Sequence, residues 1–330
     1  MNKSETFDRR RFLQLAGSGL VTGLAGHATG APFFNPWRDG ANPLLRFGMI
    51  ADVHHGLMPK AEERLEAFLE EANQRNLDFV VQLGDFCHPR PDAHAFVKLW
   101  EQANAPRYHV LGNHDMDLGT KRQIMDLWQM EHNAYSFDAG AYHFVVLDCN
   151  FLHVDGAYVD YEHGNFYVDN TLRTFIHPEQ LDWLEDELAS TDRQTIVLTH
   201  QALDEIWNGG LAKNRGAVRR IFAEANKQAG FQKVIACFSG HHHLDAHSTI
   251  DGIHYVQVNS ASYYWVGEGY GHMAEYRDPL FAFVTVGAKG IVIEGRRSVF
   301  VAPTPVDIEF PEAHRLSASL SDRTLVFAQP

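Results

Sequence analysis

Five short clusters hold the residue types that bind metal ions: Asp52-Val53-His54, Gly84-Asp85, Gly112-Asn113-His114-Asp115, Thr199-His200 and Gly240-His241-His242-His243. Carboxylate, imidazole and carboxamide groups together suit borderline divalent cations such as Mn, Fe, Zn, Co or Ni, and no thiolate is needed. Taken singly, each cluster is better explained as a turn or a helix cap, places that Asp and Asn favour. Their shared position sets them apart, because each closes an apolar run. Alternation along an extended chain would point Asp52 and His54 to one side, and His241 and His243 likewise, leaving His242 turned elsewhere.

The elements that must position these clusters follow from hydrophobic periodicity. Strands are expected at Leu45–Ala51, Phe79–Leu83, Tyr108–Leu111, Tyr142–Leu147, Thr195–Leu198 and Val234–Phe238. Amphipathic helices are expected at Ala61–Asn73, Ala93–Ala103, Pro178–Leu188 and Ala217–Ala229. In layered α/β folds, ligand sites gather at the C-terminal ends of strands, so distant clusters can converge on one site. After His243 the pattern changes. His254–Val258, Phe281–Val286 and Ile291–Glu294 read as strands, the last two joined by a Gly287-Ala288-Lys289-Gly290 turn, which predicts a second sheet of antiparallel character. The excursion from Phe151 to Phe175 has no clear period and reads as a lid-like loop that shapes specificity.

With five ordered motifs in hand, residues 45 to about 295 resemble the calcineurin-like metallophosphoesterase superfamily, most specifically in Gly112-Asn113-His114-Asp115 and in Gly240-His241-x-His243. The arrangement is more similar to the bacterial phosphodiesterase branch (cyclic-nucleotide and glycerophosphodiester types, and manganese-dependent ADP-ribose pyrophosphatases) than to the protein phosphatases. The resemblance implies a four-layer α/β/β/α sandwich of two mixed sheets flanked by helices. It also implies two divalent metal ions, one held by Asp52, His54, Asp85 and His243 and the other by Asp85, Asn113, His200 and His241. Asp85 would bridge them. Two ions roughly 3.5–4 Å apart can clamp the attacking and leaving oxygens of an in-line displacement and acidify a bridging water to a hydroxide nucleophile. His114 follows a ligand without being one and is expected to protonate the leaving group. Asp115 is expected to orient His114. The function so implied is hydrolysis of a phosphodiester or nucleotide-type substrate. A phosphomonoesterase with the same centre is the catalytic alternative, and a non-catalytic metal-binding module the other.

Composition narrows the partners. A formal net charge of −14 argues against a nucleic-acid-binding face and leaves a small phosphoester as the expected substrate. The three cysteines, Cys87, Cys149 and Cys237, are too dispersed for a disulfide scaffold; Cys149 and Cys237 read as buried thiols. Asp8 to Gln14 reads Asp-Arg-Arg-Arg-Phe-Leu-Gln ahead of a short Gly-rich apolar stretch. That pattern predicts a twin-arginine signal over residues 1–30, export by its machinery to the periplasm or beyond, and no stable membrane span after cleavage. The enzyme domain is expected over 44–300 and an irregular surface tail over 301–330.

Around the clusters several roles stay open. His55 and His88 can line the pocket or support it from outside, and Asp148 can support the site or a turn. The aromatics Tyr263, Tyr264 and Trp265, with Trp207 and Tyr270, can stack on substrate or fill core. Lys213 and Arg215 can meet phosphate or solvent.

Overall fold

Two six-stranded sheets take up all of the expected strands. The computed structural model describes residues 44–206, 209–267, 272–311, 313 and 316–327. The signal segment, Trp207 and Tyr270 therefore lie outside the described residues.

The chain begins with β1 (Leu45–Ile50), α1 (Ala61–Asn73), β2 (Phe79–Gln82), α2 (Ala93–Trp100) and β3 (Arg107–His109). A 3-10 turn (His114–Met116) and α3 (Lys121–Trp128) follow, then β4 (Tyr135–Ala139) and β5 (Tyr142–Val146). The excursion holds β6 (Phe151–Val154), β7 (Ala157–Asp160) and β8 (Arg173–Phe175). Next come α4 (Pro178–Ser190), β9 (Gln194–Thr199), α5 (Arg215–Ala229) and β10 (Val234–Ser239). The last third adds β11 (Ala246–Ile250), β12 (Ile253–Gln257), β13 (Tyr263–Gly267), β14 (His272–Glu275), β15 (Ala282–Gly287), β16 (Gly290–Gly295) and β17 (Arg323–Val326).

The first sheet runs β17-β16-β15-β1-β2-β3 and the second β11-β12-β10-β9-β5-β4. β1, β2 and β3 are parallel, as are β5, β9, β10 and β12. All their C-terminal ends therefore lie at one edge of their sheet. Phe47, Met49, Phe79 and Val81 of the first sheet meet Phe144, Val146, Leu198 and Phe238 of the second in one buried core. Phe47 stacks on Phe79 at 4.7 Å and meets Phe144 and Phe238 edge-on at 5.8 and 6.0 Å. The outer face of the first sheet is covered by α1, α2 and α3, and that of the second by α4 and α5. This is the four-layer sandwich expected from the motifs.

Two expectations fail in the last third. The strands after His243 do not make a separate antiparallel sheet. β12 joins the second sheet parallel to β10, while β15 and β16 extend the first sheet antiparallel to β1. Nor is the tail irregular throughout, since β17 pairs with β16 and buries Leu325, with Leu320 and Phe327 beside it, in the inter-sheet core. The sequence hides this because an edge strand of four residues leaves little period to read.

His109, at the end of β3, is buried and lies 5.0 Å from the Trp128 ring. Its Nδ1 accepts from the Gln82 carboxamide at 3.2 Å. Burial, and then the Arg107 charge, lower its pKa from 6.5 to about 3. The unfolded chain thus takes up a proton at a pH where the folded chain refuses it. The stabilisation is complete above pH 6.5 and is lost as pH falls towards 3. In thermal unfolding from about pH 7 to about pH 4, His109→Gln is expected to lose less stability than the parent. Parallel curves would contradict this.

Candidate metal centre

The strand ends are zipped together before any side chain is considered. Asp52 N donates to Gly84 O at 3.0 Å, His54 N to Asp85 O at 2.9 Å and His55 N to Phe86 O at 3.0 Å. Asp52 (φ 54°), His54 (56°), Asp85 (51°), His241 (70°) and His243 (50°) all take left-handed backbone. Asp52 and His54 thus share a side through successive tight turns rather than through strand alternation. Non-glycine residues rarely gather in this region, and such clusters mark functional sites. Glycine is needed at position 112, where a Cβ would strike the backbone nitrogen and carboxylate of Asp85. At Gly240 a Cβ would lie 2.6 Å from Asp52 Oδ2.

Two triads of buried or half-buried groups result: Asp52, His54 and His243, and Asp85, His200 and His241. Within each, the candidate ligand atoms lie within 4.8 Å of one another. His243 Nε2 is 3.2 Å from Asp52 Oδ1 and 3.3 Å from His54 Nε2. His200 Nε2 is 3.1 Å from Asp85 Oδ2 and 3.2 Å from His241 Nδ1. The triads adjoin at Asp85, whose Oδ2 is also 3.8 Å from His54 Nε2. Asn113 is buried beside them, its Oδ1 3.5 Å from Gln201 Nε2. All seven residues singled out as ligands are therefore at one place.

The donor set fits divalent cations. His200 Nδ1 lies 2.7 Å from Leu83 O and must donate to it, so neutral His200 turns an Nε2 lone pair towards the Asp85 carboxylate. A lone pair and a carboxylate at that distance repel unless a positive charge joins them. Burial opposes a charge on His200, yet the Asp85 carboxylate outweighs it and raises the pKa to about 9. His54 is held well below its ordinary value by burial, and His241 by burial and then by the His200 charge, which leaves both as neutral nitrogen donors.

His114 stands beside this pair of triads, its ring 5.4 Å from that of His54. Its backbone N–H donates to Asp85 Oδ1 at 2.8 Å. Burial would lower its pKa, but Asp85 and then Asp117 raise it to about 9. The carboxylate that orients it is Asp117, whose Oδ2 is 2.8 Å from His114 Nδ1, and not Asp115 as expected. The 3-10 turn places residues three apart on one side and sends Asp115 inward. There the buried Asp115 carboxylate accepts from the backbone nitrogens of Asp85 (3.1 Å), Phe86 (2.7 Å), Cys87 (3.1 Å) and Gly112 (2.8 Å), clamping two strand-end loops together. Asp117→Asn is expected to keep metal content while lowering turnover about 10-fold, the scale for losing an outer hydrogen bond to a site group. Parental turnover would remove Asp117 from the site.

The open roles resolve mostly towards structure. His55 bonds Glu62 at 2.9 Å and stacks on Phe96 at 4.3 Å. His88 Nε2 lies 3.7 Å from Asp117 Oδ2, behind His114. His242 Nε2 is 2.6 Å from Gly209 O, and its ring lies 5.0 Å from that of His241. Asp148 is a buried strut that takes the Lys121 ammonium at 2.6 Å and Asn133 at 2.8 Å. Tyr263 lines the centre, its hydroxyl 3.5 Å from His54 Nε2 and its ring 4.5 Å from that of His243, whereas Tyr264 packs in the satellite core with Phe310. Lys213 N donates to Thr174 O and Arg215 to Ala212 O, and among the described residues neither side chain forms an ion pair. All three cysteines are buried free thiols. Sequence reasoning missed Asp117, and also Gln201, which donates to Asn150 Oδ1 at 2.7 Å while Asn150 donates to Leu111 O at 2.8 Å.

Comparisons with known proteins place the chain. It is 27% identical over 295 residues to a manganese-dependent ADP-ribose/CDP-alcohol diphosphatase from Oryza sativa subsp. japonica, covering 72% of this chain and 90% of that one. A probable cyclic nucleotide phosphodiesterase from Fibrobacter succinogenes is 26% identical over 168 residues, 48% of this chain and 57% of that one. In structure, a dimetal phosphatase from Danio rerio superposes with a TM-score of 0.62 at 18% identity, over 87% of this chain and all of that one (100%). Residues 45–245 match the calcineurin-like phosphoesterase family, and with that span covering most of the sandwich and every candidate ligand, the chain belongs to it.

Proposed function

We propose that this chain hydrolyses a phosphodiester or diphosphate-type bond with two divalent cations. Asp52, His54, Asp85 and His243 would hold one, and Asp85, Asn113, His200 and His241 the other. The observation that carries the reading is the meeting of the two triads at one Asp85 carboxylate, with His114 alongside and its backbone N–H on that carboxylate. When bound, such cations supply an acidified water and positive charge for the phosphoryl oxygens. The remaining chemistry belongs to the chain. His114 offers its proton to the departing oxygen, Asp117 holds the ring, and Asp115 keeps the Asp85 and Asn113 loops in register. The diphosphatase and phosphodiesterase relatives support a diester or diphosphate over a monoester. The charge of −14 supports a small substrate over a polyanion.

Side-by-side turnover of bis(p-nitrophenyl) phosphate, p-nitrophenyl phosphate and ADP-ribose by manganese-loaded protein tests this. Faster turnover of the monoester would overturn the diester part. No hydrolysis after loading with Mn, Zn, Fe or Co would overturn the enzyme reading and revive a metal-binding module.

We also propose export through the twin arginines Arg9 and Arg10, supported by the apolar stretch that follows them. Among the described residues no helix is long and apolar enough to cross a membrane. Replacing both arginines by lysine should trap the chain in the cytoplasm on fractionation. Unchanged export would reject the route.

A further inference from the structure

The excursion β6–β8 was expected to be a loop, but it forms a three-stranded sheet, and between β7 and β8 it touches the centre. The Tyr167 hydroxyl donates to Asp117 Oδ1 at 3.1 Å and lies 3.4 Å from His114 Nδ1. Asp117 uses its other oxygen for His114. The Tyr167 residue is 64% exposed, so burial does not explain where its hydroxyl sits.

Its neighbours do. Phe166 is buried and stacks on Tyr161 at 4.7 Å, and Arg173 donates to Phe166 O at 3.0 Å. Gly164 N donates to Met116 O at 3.0 Å and His163 N to Gly119 O at 2.8 Å, tying the excursion to the turn that carries His114 and Asp117. Gly164 has φ +68°, and a Cβ there would press on the Tyr167 ring at 3.2 Å.

We propose that Tyr167 is a positioning residue for leaving-group protonation. Its hydroxyl pins one oxygen of Asp117, so the other stays on His114 Nδ1 and the imidazole keeps its Nε2 proton aimed at the substrate. As the P–O bond breaks, its electron pair leaves with the oxygen, which takes the His114 proton. The imidazole is left neutral, still donating from Nδ1 to Asp117. This rests on His114 acting as the acid, and the experiment separates the two.

The full chain, loaded with manganese, is assayed on aryl phosphodiesters whose phenols span a range of acidity. An acidic phenol leaves without help, so loss of acid positioning shows only on the poorer leaving groups. Tyr167→Phe is expected to keep metal content and KM. Its kcat should match the parent on the most acidic phenol and fall about 10-fold on the least acidic, the scale of one hydrogen bond to a charged partner. In a His114→Ala background it should cost nothing further, because the two act as a unit. A loss equal on all leaving groups, a loss additive with His114→Ala, or no loss would overturn the role of Tyr167. If His114→Ala still shows the leaving-group dependence in any of those cases, the acid reading stands and only the Tyr167 inference falls.

Discussion

Asp85→Ala is expected to strip both cations from the centre and end turnover. One Asp85 oxygen lies 3.1 Å from His200 Nε2 and 3.8 Å from His54 Nε2, so it faces a nitrogen of each triad. The other is fixed by the backbone N–H of His114. Changing an outer partner of a metal ligand costs roughly 10- to 100-fold, and losing a carboxylate shared by two ions should exceed that, to about 10³-fold or more in activity. Metal content by elemental analysis should fall together with activity. Two ions retained at parental affinity would show that Asp85 is not the shared ligand.

His114→Ala should separate what Asp85→Ala joins. The imidazole is in neither triad, so metal content should stay near the parental value. Turnover should drop about 10²-fold or more, the range for lost acid catalysis. Loss of metal instead would make His114 a ligand. The two variants are decisive as a pair, since one predicts loss of ions with activity and the other loss of activity with the ions in place.

The convergence of the candidate ligands was legible in the sequence because they sit at the ends of apolar runs whose parallel pairing is forced by the helices between them. Seven residues spread from Asp52 to His243 converge for that reason. The role of Asp115 was not legible, because its neighbourhood to His114 along the chain says nothing about which way a 3-10 turn sends each side chain. Asp117 carries no motif; only its place three residues after His114, capping that turn, marks it. Gln201 and Asn150 support Asn113 across loops from different strands, and such contacts leave no local period. The small sheet of the excursion escaped for a different reason: its strands are three or four residues long and partly exposed, so no stripe of apolar residues forms.

The order of strands in the first sheet bears on how the chain is assembled in time. β1 pairs with β15, Leu45 opposite Val286, so the first strand of the described residues waits for one near their end. During synthesis, every candidate ligand from Asp52 to His243 emerges while one edge of β1 is still bare. An unpaired strand edge invites wrong partners, and closing so long a loop is slow. A chain cut after residue 245, where the family match ends, would hold all seven candidate ligands yet leave β1 open to solvent and to its neighbours. Such a fragment should aggregate rather than bind metal, because the last strands hold the first ones still.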